Sequence, residues 1–299
     1  MKSFGKGNQT KSSGFTAANA GNVFSLAVVF LLFFSIFTSI IITVLKIEGD
    51  FAYFLNYIPA PVSVIFAILA LYLRGQKDCF RLLKPNKVAG YSVLSALLII
   101  VGLLFGLSKL NEYFIEFLEL FGLSINEPTL PKFSLQNLIC AIIFICVIPT
   151  ITEEILMRKI ILDGLSEASE VFAIFIGGFI FSIFHMNPAQ TLYQFIVGCA
   201  FAYVVLKGGN YFVTMIAHLL NNLFIVLNYY FFKITYYGVL EVVITILGIA
   251  CFIIGVIILL LKGKKLSVNI DKKKAIDFLI GSIVGVLVCV SMWISSLMV

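Results

Sequence analysis

The composition of this 299-residue chain is that of a membrane protein. Apolar residues make up 61% of it, charged residues 12%, and the mean hydropathy is +1.09, which excludes an ordinary soluble domain. The net charge of +6 does not indicate a nucleic-acid partner, because Lys and Arg lie in short loops between apolar runs. Six cysteines without CxxC or CxxH spacing indicate neither a disulfide framework nor a zinc–cysteine site. We therefore expect an all-α, polytopic membrane bundle.

The first part of the chain predicts a tail and three transmembrane helices. Residues 1–22 are rich in Gly, Ser, Asn and Lys and predict a flexible cytoplasmic tail. Residues 23–133 contain three apolar runs, each long enough to cross a bilayer. These runs cover about 23–45, 51–73 and 88–110.

Two features modify these helices. Pro59 and Pro61 predict that the first turns of the second helix are broken. Glu112, Glu116 and Glu119 follow the third run at helical spacing, with Phe and Leu residues on another arc. This pattern predicts a short amphipathic helix at the membrane surface.

The rest of the chain predicts six more helices, giving eight or nine in all. Residues 134–232 form a core segment of four apolar runs, and residues 233–299 add two C-terminal runs. The six runs begin near residues 134, 171, 191, 211, 238 and 276. Gly281 and Gly285 in the last run form a GxxxG pattern that would let a neighbouring helix approach closely.

The distribution of Lys and Arg predicts the topology. Loops 74–87, 158–170, 207–210 and 262–275 carry most of these residues, and all four lie on one side if the N-terminus is inside. The positive-inside rule therefore predicts a multi-pass cell-membrane protein with a cytoplasmic N-terminus. We expect lipid and a membrane-associated peptide as its partners, and the oligomeric state stays open.

Charged side chains in the fourth run indicate a functional site. Glu154 and Arg158 are four residues apart and share one helix face, whereas Glu153 points about 100° away. Arg158 can therefore pair with Glu154 and leave Glu153 facing a cavity. The alternative is that all three form an ion-pair cap at the cytoplasmic membrane edge. Ionisable groups at membrane depth are costly, which favours a function.

Both histidines of the chain lie in the same core segment. His218 and Asn222 share one helix face and can donate hydrogen bonds to a developing oxyanion. His185 follows Phe181 by one helical turn. Each of these residues alone would more often be an interhelical polar contact. The presence of all of them in one segment, together with the paired glutamates, favours a site.

The ordered set of Glu153-Glu154-x-x-x-Arg158, Phe181-x-x-x-His185 and His218-x-x-x-Asn222 resembles the CPBP family of intramembrane proteases, which includes CAAX prenyl endopeptidases and bacteriocin-processing enzymes. The resemblance covers about residues 134–230. It implies that Glu153 activates water and His185 assists it. It also implies that His218 and Asn222 form the oxyanion site, and that Glu154 with Arg158 is the supporting pair.

The resemblance leaves metal dependence open. Glu153, His185 and His218 would be the ligands of a zinc or similar ion if one is used. No HExxH motif is present, and Asn222 is an unusual ligand for a transition metal. We therefore expect no cofactor. Serine and aspartate intramembrane proteases are disfavoured, because no apolar run contains G-x-S-G or a pair of aspartates.

The leading hypothesis is an intramembrane endopeptidase whose cavity opens towards the cytoplasmic half of the membrane. Its substrate would be a prenylated tail, a leader peptide or another membrane-associated peptide. One alternative is a non-catalytic bacteriocin-immunity or scaffold protein, and another is a transporter, although no internal repeat is visible.

The predicted depths of the site residues conflict with a shared site. Counted from the cytoplasmic side, His218 would lie about 10 Å and His185 about 21 Å deep, with Glu153 near the inner end of its helix. A break at Pro149, or an offset of the helices, would be needed to bring them together.

Overall fold

A computed structural model describes residues 15–75, 87–123, 125 and 129–297, and these residues form helices, turns and loops without a strand. Within these ranges, eight helices or helix pairs are long and apolar enough to cross a membrane, and a shorter apolar helix accompanies them. The prediction of an all-α polytopic bundle is therefore confirmed. The helices are α1 (Ala17–Val44), α2 (Gly49–Leu55), α3 (Pro59–Leu73), α4 (Gly90–Glu119), α5 (Leu135–Ser166), α6 (Glu170–Phe184), α7 (Thr191–Gly208), α8 (Tyr211–Phe232), α9 (Val239–Lys262) and α10 (Lys272–Ser295).

Helix α1 begins at Ala17, before the predicted Val23. The Thr16 hydroxyl caps it by accepting a hydrogen bond from the Asn19 N–H at 3.3 Å. Phe15 and Ala17 are fully or almost fully buried, so the last part of the predicted tail is packed structure. The rest of that tail, residues 1–14, and residues 76–86 of the predicted basic loop lie outside the described residues.

Helix α4 is longer than the sequence predicts. The amphipathic segment with its three exposed glutamates is the continuation of this helix, not a separate surface helix. Its inner side is buried at Ile115 and Leu118. Asn111 ties it to the start of α7, because its Nδ2 donates to the Ala189 carbonyl at 2.8 Å and its Oδ1 accepts from the Tyr193 N–H at 3.1 Å.

Helix α5 passes through Pro149 without a break and ends at Ser166, where the sequence predicted a loop from residue 158. Pro149 has no N–H for the Ile145 carbonyl four residues earlier. Asn222 of α8 supplies the missing donor, with its Nδ2 3.3 Å from that oxygen. Two π-helical stretches, Ile142–Val147 and Glu154–Ile161, flank the proline-containing turn. By contrast, α2 ends at Leu55 and α3 begins at Pro59, as the prolines predict.

Gly281 and Gly285 of α10 pack closely against α1. A Cβ atom at Gly281 would lie 2.8 Å from the Ala18 carbonyl oxygen, and one at Gly285 would lie 2.8 Å from the Phe24 ring. The hydroxyl of Ser25 donates to the Gly281 carbonyl at 2.7 Å and accepts from the Gly285 N–H at 3.1 Å. The GxxxG prediction is confirmed, with α1 as the partner helix.

Contacts between the ends of the helices define two faces of the bundle. At one face the Ala17 N–H donates to Glu167, the Asp271 N–H to the Ala168 carbonyl, and the Lys264 N–H to the Lys207 carbonyl. We call this the basic face, since many lysines lie there: Lys207, Lys262, Lys264, Lys265, Lys272, Lys273 and Lys274. At the opposite face Asn137 bonds to Asp50 at 2.6 Å, and the Tyr229 hydroxyl bonds to the Leu130 carbonyl.

Candidate active site

Glu154 of helix α5 is fully buried, and its carboxylate contacts three buried side chains. The Thr214 hydroxyl donates to Glu154 Oε2 at 2.6 Å. His218 Nδ1 donates to Glu154 Oε1 at 3.1 Å, and Arg158 Nε lies 3.6 Å from the same oxygen. Helical spacing correctly predicts the pairing of Glu154 with Arg158. It does not show that Glu154 also orients His218.

Aromatic rings enclose the Arg158 side chain. The guanidinium carbon lies 4.5 Å from the centre of the Phe181 ring and 5.7 Å from that of Phe201. Cation–π contact stabilises a cation in such a desolvated place. Arg158 is 2% exposed, and Phe181 and Phe201 are fully buried. These three residues and Glu154 form a packed layer that we call the arginine layer.

Glu153 faces the two histidines. Its Oε2 lies 3.9 Å from His185 Nε2 and 4.0 Å from His218 Nε2, and it is buried without a hydrogen-bond partner. These distances are too long for direct hydrogen bonds, and the Glu153 side chain lines a cavity together with both histidines. His185 Nδ1 donates to the Phe181 carbonyl at 2.8 Å. Since both histidines bond through Nδ1, each directs Nε2 towards Glu153.

The observed length of α5 resolves the conflict between the predicted depths of Glu153 and the histidines. Glu153 lies in the interior of this helix, because α5 continues for a further 13 residues, about 20 Å, to Ser166. The Lys159 ammonium lies 5.5 Å from the centre of the Tyr211 ring, which places the first residue of α8 level with Lys159. His218 follows Tyr211 by seven residues, about 10 Å, and so reaches the level of Glu153.

Asn222 ends a chain of polar groups. The Tyr193 hydroxyl donates to Asn221 Oδ1 at 2.8 Å, and Asn221 Nδ2 donates to Asn222 Oδ1 at 3.2 Å. Asn222 Nδ2 uses one hydrogen on the Ile145 carbonyl, which leaves its second N–H for a ligand. The amide is thus held in one orientation.

Sequence reasoning missed two polar residues of this arrangement, Thr214 and Tyr193, and the ring of Phe201. Thr214 has a detectable signal, because it precedes His218 by four residues and so shares its helix face. Tyr193 has none, since its contact with Asn221 depends on how α7 packs against α8.

The site lies at the inner end of a cavity of about 690 Å³ lined by Glu153, His185, His218 and Asn222. Further lining residues come from the half of the bundle next to the opposite face, and they include Ser35, Asn56, Tyr57, Leu130 and Tyr229. The cavity therefore lies away from the basic face. Its opening towards the cytoplasmic half of the membrane stays a prediction.

Glu153, His185 and His218 have the donor atoms of a zinc site, and histidines that bind metals also have their other nitrogen fixed. Within the described ranges, however, no group of three or more His, Cys, Asp or Glu side chains is arranged to hold a metal ion. The residues as placed therefore do not fit such an ion, and metal independence stays a prediction. The described cysteines, which exclude Cys79, are free thiols.

Comparison with known proteins identifies this segment. Residues 135–224 match the family model of type II CAAX prenyl endopeptidases, Rce1-like. Over this segment the chain is similar to CPBP-family intramembrane proteases. The matched segment contains Glu153, Glu154, Arg158, both histidines and Asn222. No curated protein and no solved structure matches the chain. The family supports a CAAX-type endopeptidase in general terms, and it leaves the substrate and the role of each residue to be established.

Proposed function

We propose that this protein is a CPBP-type protease that hydrolyses an internal bond of a membrane-associated peptide with water activated by Glu153. One observation carries the proposal. Glu153 Oε2 is buried, has no hydrogen-bond partner, and lies 3.9 and 4.0 Å from two imidazole nitrogens, and all three side chains line the same cavity. A structural ion pair would bond these groups to one another, whereas here they are unbonded to one another beside a cavity that can admit a peptide and water.

The proposed reaction begins with a water held between Glu153 and His185. The water oxygen attacks the peptide carbonyl carbon while Glu153 takes the proton. The free N–H of Asn222 and the Nε2 side of His218 face the oxyanion that forms, and Glu154 at His218 Nδ1 balances positive charge on the ring. The C–N bond then breaks, and Glu153 returns the proton to the leaving nitrogen. The products are a carboxylate and an amine.

The decisive experiment measures cleavage of prenylated and leader-type fluorogenic peptides by purified protein. The variant is Glu153→Gln, which keeps the shape but cannot accept the proton. We expect it to lose on the order of 10²–10⁴-fold in rate. Glu112→Gln, at an exposed position of α4, is the matched control and should cleave like the wild type. Wild-type rates in Glu153→Gln would refute the proposal.

Two further measurements test metal dependence and the non-catalytic alternative. A chelator should leave wild-type cleavage unchanged, and loss of cleavage restored by a divalent metal would instead assign Glu153, His185 and His218 to a metal. If the wild type cleaves nothing while a cellular immunity assay tolerates Glu153→Gln, the immunity or scaffold role is the better account.

A further inference from the structure

The turn between α6 and α7 connects two side chains of the candidate site. We call residues 186–190 of this turn the site loop. His185 directly precedes the loop, and Tyr193, whose hydroxyl bonds to Asn221, lies in the first turn of α7. The path of the site loop therefore affects the positions of His185 and Tyr193. The loop also forms part of the cavity wall, through Met186, Asn187, Ala189 and Gln190.

The backbone of the site loop does not favour this path by itself. Met186 has a φ angle of +51°, in the left-handed region that residues other than glycine rarely adopt. Such a conformation persists only where the surrounding structure imposes it. Contacts from neighbouring helices are therefore needed to fix the loop behind His185.

Asn111 of α4 is the first anchor of the site loop. Its Nδ2 donates to the Ala189 carbonyl at 2.8 Å, and its Oδ1 accepts from the Tyr193 N–H at 3.1 Å. These two backbone groups are four residues apart, so a longer α7 would join them directly. The side-chain amide lies between them instead. It thereby keeps the start of α7 at Thr191 and fixes the length of the loop.

Trp293 of α10 is the second anchor. Its Nε1 donates to Thr191 Oγ1 at 2.7 Å, and the same hydroxyl donates to the Asn187 carbonyl at 3.1 Å. Asn111 and Trp293 both lie outside residues 135–224, which match the family model. The position of the site loop thus depends on two helices that the match does not cover.

We infer that Asn111, with Trp293 as the second anchor, is a positioning residue of the candidate site. It acts through the site loop on the imidazole of His185 and, through Tyr193 and Asn221, on the amide of Asn222. The inference rests on the proposed function for the chemistry, whereas the anchoring of the loop is a separate property that can be measured without a substrate.

The effect on the reaction is tested by steady-state kinetics. Asn111→Leu keeps a similar size and removes both hydrogen bonds. We expect kcat to fall roughly ten-fold while KM stays within about three-fold, because displaced reactive groups slow the chemical step. Asn111→Gln keeps the amide on a longer side chain and should recover part of the lost kcat. A rise in KM with unchanged kcat would overturn the inference, since Asn111 would then only form part of the cavity wall.

Two more variants complete the kinetic test. Trp293→Phe removes the N–H of the second anchor and should also lower kcat, by about three-fold. Asn228→Leu is the matched control, because it removes a comparable bond, from the Ile234 N–H to Asn228 Oδ1 at 2.9 Å. It should keep the wild-type kcat. Equal losses in Asn228→Leu and Asn111→Leu would overturn the inference.

The anchoring itself is tested by hydrogen–deuterium exchange of the purified proteins. In Asn111→Leu and in Trp293→Phe, exchange in residues 186–193 should change at least several-fold, while exchange in α1 should match that of the wild type. Unchanged exchange in residues 186–193 would overturn the inference. Cleavage that persists in Glu153→Gln would instead contradict the proposed function, and the exchange measurement would still decide whether Asn111 anchors the loop.

Discussion

Glu153 and Glu154 are neighbours in sequence and have opposite surroundings. Glu154 is fully buried and bonded by a hydroxyl and an imidazole, with a guanidinium 3.6 Å away. Glu153 Oε2 is buried but unbonded. Helical geometry predicts this division, because consecutive residues differ by about 100°. It does not predict that Glu154 bonds to His218, because that contact joins two helices.

The contact between Thr214 and Glu154 leads to a prediction for catalysis. Thr214→Val keeps the shape but removes the hydrogen bond of 2.6 Å, so Glu154 should hold His218 less firmly. We expect kcat to fall roughly ten-fold with little change in KM, as for other residues that orient reactive groups. Thr214→Ser retains the hydroxyl and should restore most of kcat. Steady-state kinetics on all three proteins measure this, and an unchanged kcat in Thr214→Val would contradict the orienting role.

At the scale of elements, the glycines of α10 show how small residues set a distance between helices. With no side chain at Gly281, the backbones of α1 and α10 approach until Ser25 bonds to its carbonyl. The sequence pattern predicts the close approach but not the partner, because any helix with a complementary surface would satisfy it.

The packing at Gly281 predicts a difference between two identical substitutions. In Gly281→Ala the new Cβ would meet the Ala18 carbonyl at 2.8 Å, whereas at Gly90, the first residue of α4, nothing lies within 4 Å. We expect Gly281→Ala to lower the free energy of unfolding by roughly 1–3 kcal/mol and Gly90→Ala to have little effect. Thermal unfolding in detergent measures both, and equal melting temperatures would show that α1 and α10 can separate without cost.

For the whole molecule, the basic face and the site are separate structures. The loop 263–271 is held by Glu170 through Lys264 and the Ser267 backbone. The arginine layer lies between this region and Glu153. A change at the basic face should therefore alter stability without altering chemistry.

Glu170→Ala tests this separation. Its ion pair with Lys264 is partly exposed, so we expect a loss of about 1 kcal/mol in the free energy of unfolding. The values of kcat and KM should stay within two-fold of the wild type. Glu116→Ala, at an exposed position of α4, controls for the loss of a surface charge. A several-fold fall in kcat would show that the basic face is coupled to the site.

The sequence by itself determined the class of the fold and the number of membrane helices to within one, and it predicted the main residues of the candidate site. These properties depend on local features, namely the length of apolar runs and the spacing of residues on one helix. Tertiary structure alone decided the depth of Glu153, the partners of His218, and the position of the cavity relative to the basic face. Each depends on contacts between helices distant in the chain. One example is the hydrogen bond from Asn222 to the Ile145 carbonyl. In the sequence, Pro149 predicts a helix break, because a proline removes one backbone donor. Only the tertiary structure shows that another helix provides it.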